Sequence, residues 1–390
     1  MLKALNEQGK LVTLTKENKM DFKEQNFFCP VCHERLIVKA GTSRRWHFAH
    51  SRHSKCGASE AESEYHLKGK ELLYEWLIEQ NMHVDLEPYF SAIKQRADLF
   101  IKSSVDAPIE FQCSTISEQI FLSRTSNYMK LNQKPLWILG GNRFRRMGSH
   151  MFRVQRMDWL ALNVSSKSPH EPFLLYFCPN ADKFAAISNI IPFSSTKIVG
   201  NLQIFPRRRA TLASLFKNKV HLPLPEKVLL QTKENWRTFP FRQHSPASRY
   251  VSRMLHSIHS DISLFPNEAG LLSRYLFWIE TPPYLWQSWL LIHCIMPLSE
   301  REAFQFHDVY EPFKRLVAKG VFKVRNLPLV EASHYSFALM DYLLLLCEIG
   351  ILSRAGRSRF LILKQIQLPK TLDRALQIDK RIQQFINQKR

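Results

Sequence analysis

The chain has 390 residues, 45% of them apolar, enough to bury the cores of two or three domains. Its formal net charge of +21 and sequence pI near 9.8 fit a polyanionic partner, most simply nucleic acid, bound with strong salt dependence. The seven cysteines are an odd count, three between Cys29 and Cys56 and four scattered in apolar runs, which excludes a disulfide framework. The opening MLKALNEQGK lacks the apolar core of a signal peptide. The most apolar later stretch, Tyr284 to Leu298, contains Gln287 and His293 and is too short to span a bilayer. An anionic membrane surface is the rival polyanion, but the helical stretches do not gather Lys and Arg opposite a strong apolar face. The expectation is a soluble cytoplasmic protein without membrane insertion.

In chain order, Leu11 to Thr15 alternates like a strand and closes a short strand pair. Cys29-Pro-Val-Cys32 is a Cys-x-x-Cys knuckle, followed by an apolar strand from Arg35 to Lys39, a turn at Gly41, Trp46-His-Phe-Ala-His50 and Cys56. A tight thiol pair and a second pair one hairpin later form the layout of a closed tetrahedral zinc site. Its ligands are Cys29, Cys32 and two of His47, His50 and Cys56, with His50 and Cys56 preferred. A redox Cys-x-x-Cys and unrelated buried cysteines are the alternatives; the first normally opens a helix, whereas a strand follows here. Arg44, Arg45, Arg52, His53 and Lys55 surround the cluster and place DNA contact within reach.

From Ser59 the pattern turns helical, with Leu67, Leu72, Leu73, Trp76, Leu77 and Ile78 at helical spacing. Ser59 and Glu62 have the spacing of a capping box. Alternatively Glu62, His66 and Lys70, stepping by four, line one helix face with Ser63 beside them, and Glu64 is a second available acid. Met82 to Phe90 reads as a strand. Arg96 to Gln112 then reads as a hairpin, RADLFI and IEFQCS about a turn with Asp106 and Pro108. Asp98 and Glu110 are carboxylates in largely apolar strands, which is costly unless they are paired or share a cation. Hard oxygen ligands from two acids and a backbone carbonyl, that of Phe111, suit Mg²⁺ or Mn²⁺. Ser117 to Leu131 reads as a helix carrying Arg124 and Tyr128 one turn apart, and Pro135 to Gly141 as a buried strand. Arg124 can hold a phosphate, and Tyr128 can hydrogen-bond it, stack on a base or simply pack in the core. Helix, hairpin, helix and strand in this order predict an α/β core.

The residues of that core carry a resemblance. Asp98 followed by Glu110-Phe-Gln112 resembles the metal site of the PD-(D/E)XK nuclease fold, with Gln112 where a lysine is usual. RADLFI, IEFQCS and WHFAH…ESEYHLKGK resemble the competence protein CoiA family of transformable bacteria, over about residues 1–140. The resemblance implies an α/β restriction-endonuclease-like nuclease core preceded by a small β zinc-ribbon-like domain; with the later aromatic segments, which read as a mainly α-helical C-terminal region, the expected division is 1–58, 59–150 and 151–390. It implies Glu62, His66, Lys70, Asp98, Glu110 and Gln112 as site residues, Arg124 and Tyr128 accompanying them, and a role after DNA uptake. Two functions follow: a Mg²⁺- or Mn²⁺-dependent nuclease acting on DNA, or a non-catalytic scaffold that hands single strands to a recombinase. Gln112 cannot supply charge; Lys70 can supply it from the facing helix. A zinc-dependent redox or hydrolytic enzyme would need an open metal position, and the cysteine cluster reads as closed.

Beyond the core, residues 142–156 interleave five arginines with Phe144, Met151 and Phe152, either a backbone-gripping segment that includes Arg143, Arg145 and Arg146 or a solvated linker. WLALN and FLLYFCP read as further strands. Arg207, Arg208 and Arg209 open an expected helix, a poor place for cations unless they face phosphate. After about Glu234 four aromatic helices are expected, SRYVSRMLHSIH, EAGLLSRYLFWI, PYLWQSWLLIHCIM and SHYSFALMDYLLLLCEIG, then an amphipathic tail from Leu368. Arg354 to Lys364 resembles the wing of a winged helix, in a region expected to bind DNA or a protein partner.

Overall fold

A computed structural model of the chain describes residues 1–14, 25–39, 46–51, 53–54, 56, 62–103, 106–165, 168–217, 225–239, 244–330 and 334–389. Arg44, Arg45, Arg52, Lys55 and Ser59 lie outside the described residues. The N-terminal module comprises β1 (Lys3–Leu5), β2 (Leu11–Thr13), β3 (Phe27–Phe28), β4 (Arg35–Lys39) and β5 (His47–Ala49). They form an antiparallel sheet in the order β2-β1-β3-β4-β5. Its core is small: Met1, Ala4, Leu14, Phe27, Cys29, Leu36, Phe48 and Cys56 are its buried members. A core of this size rarely holds a fold without a staple.

The central body begins with α1 (Glu64–Ile78), then β6 (His83–Leu86), β7 (Tyr89–Phe90), β8 (Gln95–Arg96), β9 (Leu99–Lys102), β10 (Ala107–Gln112), α2 (Glu118–Lys130) and β11 (Leu136–Gly140). Ser63, not Ser59, caps α1: its side chain accepts the His66 N–H at 3.2 Å. Glu62 therefore precedes the helix and makes no capping box. The expected strand from Met82 is split, because Glu87 adopts φ +50° and turns the chain. The chain continues through β12 (Arg145–Arg146), β13 (Met151–Arg153), α3 (Arg156–Leu160), β14 (Asn163–Ser165), β15 (Ser168–Cys178), β16 (Lys183–Pro192), β17 (Lys197–Pro206) and α4 (Leu212–Lys217).

Among the described residues, β12-β13-β17-β16-β15-β11-β10-β9-β6 form one mixed sheet, with β14 paired to β15. β10, β11 and β15 run parallel; α2 is the crossover from β10 to β11. The boundary expected near residue 150 falls inside this sheet, since β13 through β17 continue it. The sheet divides two cores by strict alternation. Leu136, Ile138, Phe173, Leu175 and Phe177 face one core with Leu67, Leu73 and Trp76 of α1. Trp137, Leu139, Leu174 and Tyr176 face the other with Phe121 of α2. WLALN, expected as a strand, places Trp159 and Leu160 in α3, where a capping box between Gln155 and Asp158 starts a helix. The three arginines from Arg207 sit in a 3₁₀ turn before α4 rather than in a helix, so no macrodipole opposes them.

The C-terminal region contains α5 (Glu226–Thr238), α6 (Pro246–Ser257), α7 (Pro283–Leu290), β18 (Ala303–Gln305), α8 (Phe306–Ala318), α9 (Tyr335–Glu348), β19 (Leu352–Arg354), β20 (Arg359–Ile362) and α10 (Leu372–Lys389). The expected helix EAGLLSRYLFWI does not form, apart from a 3₁₀ turn at Leu276–Trp278. Gly270 has φ +76°, and Gln287 satisfies both the N–H and the C=O of Leu271, at 2.9 and 2.8 Å. A side-chain amide thus replaces the helical ladder. Among the described residues no helix is long and apolar enough to cross a membrane.

Asp379 of α10 closes this region onto α5: Arg237 Nε donates to it at 2.6 Å, Lys233 Nζ lies 2.9 Å away and the Asn267 amide donates at 2.6 Å. Burial pushes the Asp379 carboxyl up, but Lys233 and Arg237 outweigh it and hold the group below its usual value. Its contribution is therefore present above the usual carboxylate range and is lost as pH falls through the lower folded value. Asp379→Asn is expected to cost about 3–5 kcal/mol at neutral pH by leaving buried cations uncompensated. Chemical denaturation should show that cost shrinking below about pH 4.

Candidate functional site

The site is assembled where α1 crosses the β9–β10 hairpin. Gly69 permits the crossing, because a Cβ there would collide with the Phe111 ring. The helix can therefore approach the sheet closely, and His66 stacks on Phe111 with ring centroids 5.7 Å apart and planes at 10°. Lys70, one turn further, is completely buried.

Around Lys70 the carboxylates converge. Its Nζ donates to Glu62 at 2.7 Å, bonds Glu87, and lies 3.8 Å from Asp98. Asp98 Oδ2 accepts the Phe111 N–H at 2.8 Å and stands 3.4 Å from His66 Nε2. Glu62 also faces His66 Nδ1 at 3.7 Å, Arg96 Nη2 at 3.5 Å and the Met1 amine at 3.1 Å. The Leu2 and Lys3 N–H groups donate to Glu87 at 2.9 and 3.2 Å, so the N-terminal module closes one side of the cluster. Burial alone would drive these acids neutral. Lys70 leads the opposing charges at Glu62 and Glu87, and His66 leads at Asp98, so all three carboxyls are held below their usual values. Burial disfavours the Lys70 ammonium, but Glu87, Glu62 and Asp98 hold it protonated. For His66, burial is likewise outweighed, by Asp98, and its pKa rises.

Glu110 lies across the hairpin from Asp98, one step beyond the Ile109–Leu99 pair, but its oxygens are held from the α2 side. Arg124 Nη2 is 2.6 Å from both, and the Tyr128 hydroxyl donates to Oε1 at 2.6 Å. Burial raises the Glu110 carboxyl, Arg124 opposes the rise and Asp98 adds to it. Tyr128 is thus both packed and functional in hydrogen bonding. Gln112 turns to the Ser114 carbonyl and hydroxyl, at 2.9 and 3.1 Å. Among the described residues, ligand atoms of Glu62, His66 and Asp98 lie within 4.8 Å of one another, and Glu110 is not in that set. Sequence reasoning assigned no role to Glu87 or Arg96. A glutamate before proline at a break in strand alternation was the available signal for Glu87.

The second cluster comprises Cys29, Cys32, His50 and Cys56, again within 4.8 Å of one another; His47 on β5 is outside it. The Cys29–Cys32 segment is a knuckle: Val31 N–H donates to Cys29 Sγ at 3.3 Å, His33 N–H returns to Cys29 O at 3.0 Å, and His33 takes φ +57°. Cys32 Sγ and His50 Nε2 are 3.4 Å apart. Tetrahedral sulfur ligands at about 2.3 Å from an ion stand about 3.8 Å apart, so the donor set fits zinc in type and spacing. Burial, then the adjacent Cys56 and Cys29 sulfurs, push the Cys32 thiol up to about 12; a bound cation inverts that logic. Burial lowers the His50 pKa, favouring the neutral ring that a metal requires.

The expected phosphate-binding arginines divide. Arg145, Arg146, Arg208 and Arg209 are exposed. Arg143 and Arg207 are corrections: Arg143 is buried against Asp158 at 2.7 Å and Thr115 at 3.0 Å, and Arg207 against Asp182 at 2.6 Å. A buried guanidinium must be paired, which removes both from the surface.

Three family models match the chain: the N-terminal domain of competence protein CoiA over residues 11–59, its nuclease-like domain over 62–220 and its C-terminal domain over 224–376. The chain is also similar to the competence protein CoiA of Bacillus subtilis (strain 168), 28% identical over 353 residues, covering 90% of this chain and 93% of the relative. No solved structure matches it.

Lys70→Met is expected to destabilise the protein by about 3–5 kcal/mol at neutral pH, because buried acids lose their counter-charge. In the native protein the depressed Glu87 contributes stability that is present above its usual value and lost as pH falls through the lower folded one. Without Lys70 that carboxyl rises, so denaturation at pH 7 and pH 4 should show the deficit narrowing in acid.

Proposed function

The chain belongs to the competence protein CoiA family, and from that premise we propose that it processes DNA during natural transformation as a divalent-metal-dependent nuclease. One observation carries this reading: Glu62, His66 and Asp98 converge within 4.8 Å in the nuclease-like domain. The order α1, hairpin β9–β10, α2, β11 supports a PD-(D/E)XK-type core. The donors fit a divalent cation in type and spacing, and Glu62 Oε2, which faces the Met1 amine at 3.1 Å, is the oxygen an ion would take over. Two carboxylates with an imidazole suit Mn²⁺ better than the all-oxygen preference of Mg²⁺, and the ion would have to displace the proton that Asp98 favours on His66.

When bound, such an ion supplies Lewis acidity and a water of lowered pKa. The chain's own residues do the rest. Phe111 N–H and His66 orient Asp98, and the Phe111 ring orients His66. Lys70 balances the buried acids and supplies positive charge where Gln112 cannot. Glu110 positions Arg124, whose side chain keeps 28% exposure and can meet a phosphate. Arg145, Arg146, Arg208 and Arg209 add sequence-independent backbone contacts.

The second reading is a non-catalytic DNA-binding scaffold that delivers strands to a recombinase. It is favoured by the closure of Glu110 under Arg124 and Tyr128 and by the diversion of Gln112 to Ser114. Labelled linear, single-stranded and branched DNA, titrated with Mn²⁺ and Mg²⁺, separates the two. The nuclease reading expects metal-dependent cleavage that falls at least about 100-fold in Asp98→Ala and Glu62→Ala, the upper end for loss of even an outer-shell partner. DNA binding without cleavage at any metal concentration establishes the scaffold.

For the cysteine cluster the proposal is structural zinc in a ribbon-like module, because four protein donors close the site. Cys29→Ser is expected to lose one equivalent of zinc by elemental analysis. The N-terminal module should then become protease-sensitive, since its core alone is too small to hold it.

A further inference from the structure

The segment from α7 to β20 runs helix, strand, helix, helix and hairpin. Its three strands pair antiparallel in the order β18-β20-β19. The last strand is therefore central and the first lies at the edge, which is the winding of a winged helix. Residues 319–334 make the connection between α8 and α9 long for a helix-turn-helix. In that architecture two elements can touch DNA: the helix before the hairpin, in the major groove, and the hairpin, on the backbone.

Here the chemistry of the two is divided. α9 contains no lysine or arginine. It spends its length on packing, with Ala338, Leu339, Tyr342, Leu343, Leu345 and Leu346 buried. Such a helix cannot offer the bidentate donors that read base edges. The hairpin is the reverse. Residues 354–359 are all exposed and include Arg354, Arg357 and Arg359. Among the described residues no ion pair involves any of the three. The loop is also braced. Arg354 donates to the Gly356 and Arg357 carbonyls at 3.0 and 3.1 Å, and Ala355 N–H donates to Arg359 O at 2.9 Å. Phe306 N–H ties Ser358 O to the start of α8 at 2.7 Å, and the Ser358 hydroxyl donates to Gln305 Oε1 at 3.2 Å. A pre-ordered cationic loop loses little entropy on meeting an anion.

We propose that the 354–359 hairpin is a duplex-DNA grip that binds the phosphate backbone without reading sequence, while α9 serves the protein core. The partner class rests on the DNA reading above, but the surface is separate from the Glu62–His66–Asp98 cluster.

The test is fluorescence anisotropy of the full chain with two short duplexes of unrelated sequence across a salt series. The triple variant Arg354→Glu, Arg357→Glu, Arg359→Glu is expected to bind both duplexes at least 10-fold more weakly at low salt. Its slope of log affinity against log salt should fall by about 2–3, one counterion per lost phosphate contact. Arg357→Ala provides a milder arm if the triple variant misfolds, with a slope change of about 1, and Arg357→Lys should restore binding. Unchanged affinity and slope in these variants overturn the grip while leaving DNA as partner. A strong preference of the parent for one duplex overturns its sequence independence. Failure of the parent to bind duplex DNA at all overturns both this inference and the DNA reading. Loss of cleavage in Asp98→Ala with duplex binding intact shows the two surfaces acting separately, as inferred.

Discussion

A lysine with no solvent exposure is the constraint around which the central body is arranged. Lys70 cannot be buried as a cation unless carboxylates surround it, and Glu62, Glu87 and Asp98 come from three different segments to do so. Meeting that demand places α1 against the hairpin, bends the chain at Glu87 and draws in the first residues of the N-terminal module. Structural neutralisation and candidate chemistry therefore use the same atoms.

The sheet gives this arrangement its second half. Alternation along β10 sends Ile109 and Phe111 to the α1 core and Glu110 to the side of α2. Asp98, just before β9, is gripped by α1 and by a backbone N–H of β10. The two acids facing each other across the hairpin thus have different keepers. Arg124 ties Glu110 to the backbone of β8, donating also to the Arg96 carbonyl at 3.2 Å.

The flanking modules solve stability in different ways. The N-terminal one has a small core and a four-donor cysteine–histidine cluster. The C-terminal one shares a large aromatic core with one face of the central sheet and adds a buried Asp379 clamp. Arg145, Arg146, Arg208 and Arg209 of the central body and Arg354, Arg357 and Arg359 of the hairpin are exposed. Arg143 and Arg207 show the converse: a basic run in sequence includes arginines whose task is internal pairing.

Much was legible along the chain. The Cys29-Pro-Val-Cys32 knuckle, His66 and Lys70 one turn apart on α1, the β9–β10 hairpin and α2 rest on local pattern, where periodicity and turn chemistry decide; Glu62 precedes α1 and owes its place to the tertiary cluster. The strand at WLALN, the helix at EAGLLSRYLFWI and a boundary near residue 150 were not legible. The last two were overruled by partners distant in sequence, Gln287 for Leu271 and the pairing of β13 to β17 for the boundary; the first was overruled locally, by the capping box of Gln155 and Asp158. The residue types alone determined a cationic, cysteine-clustered α/β protein with acids in buried strands. Only the tertiary structure decided which cation each acid meets, because a buried charge takes the nearest counter-charge in space, and sequence separation does not measure that distance.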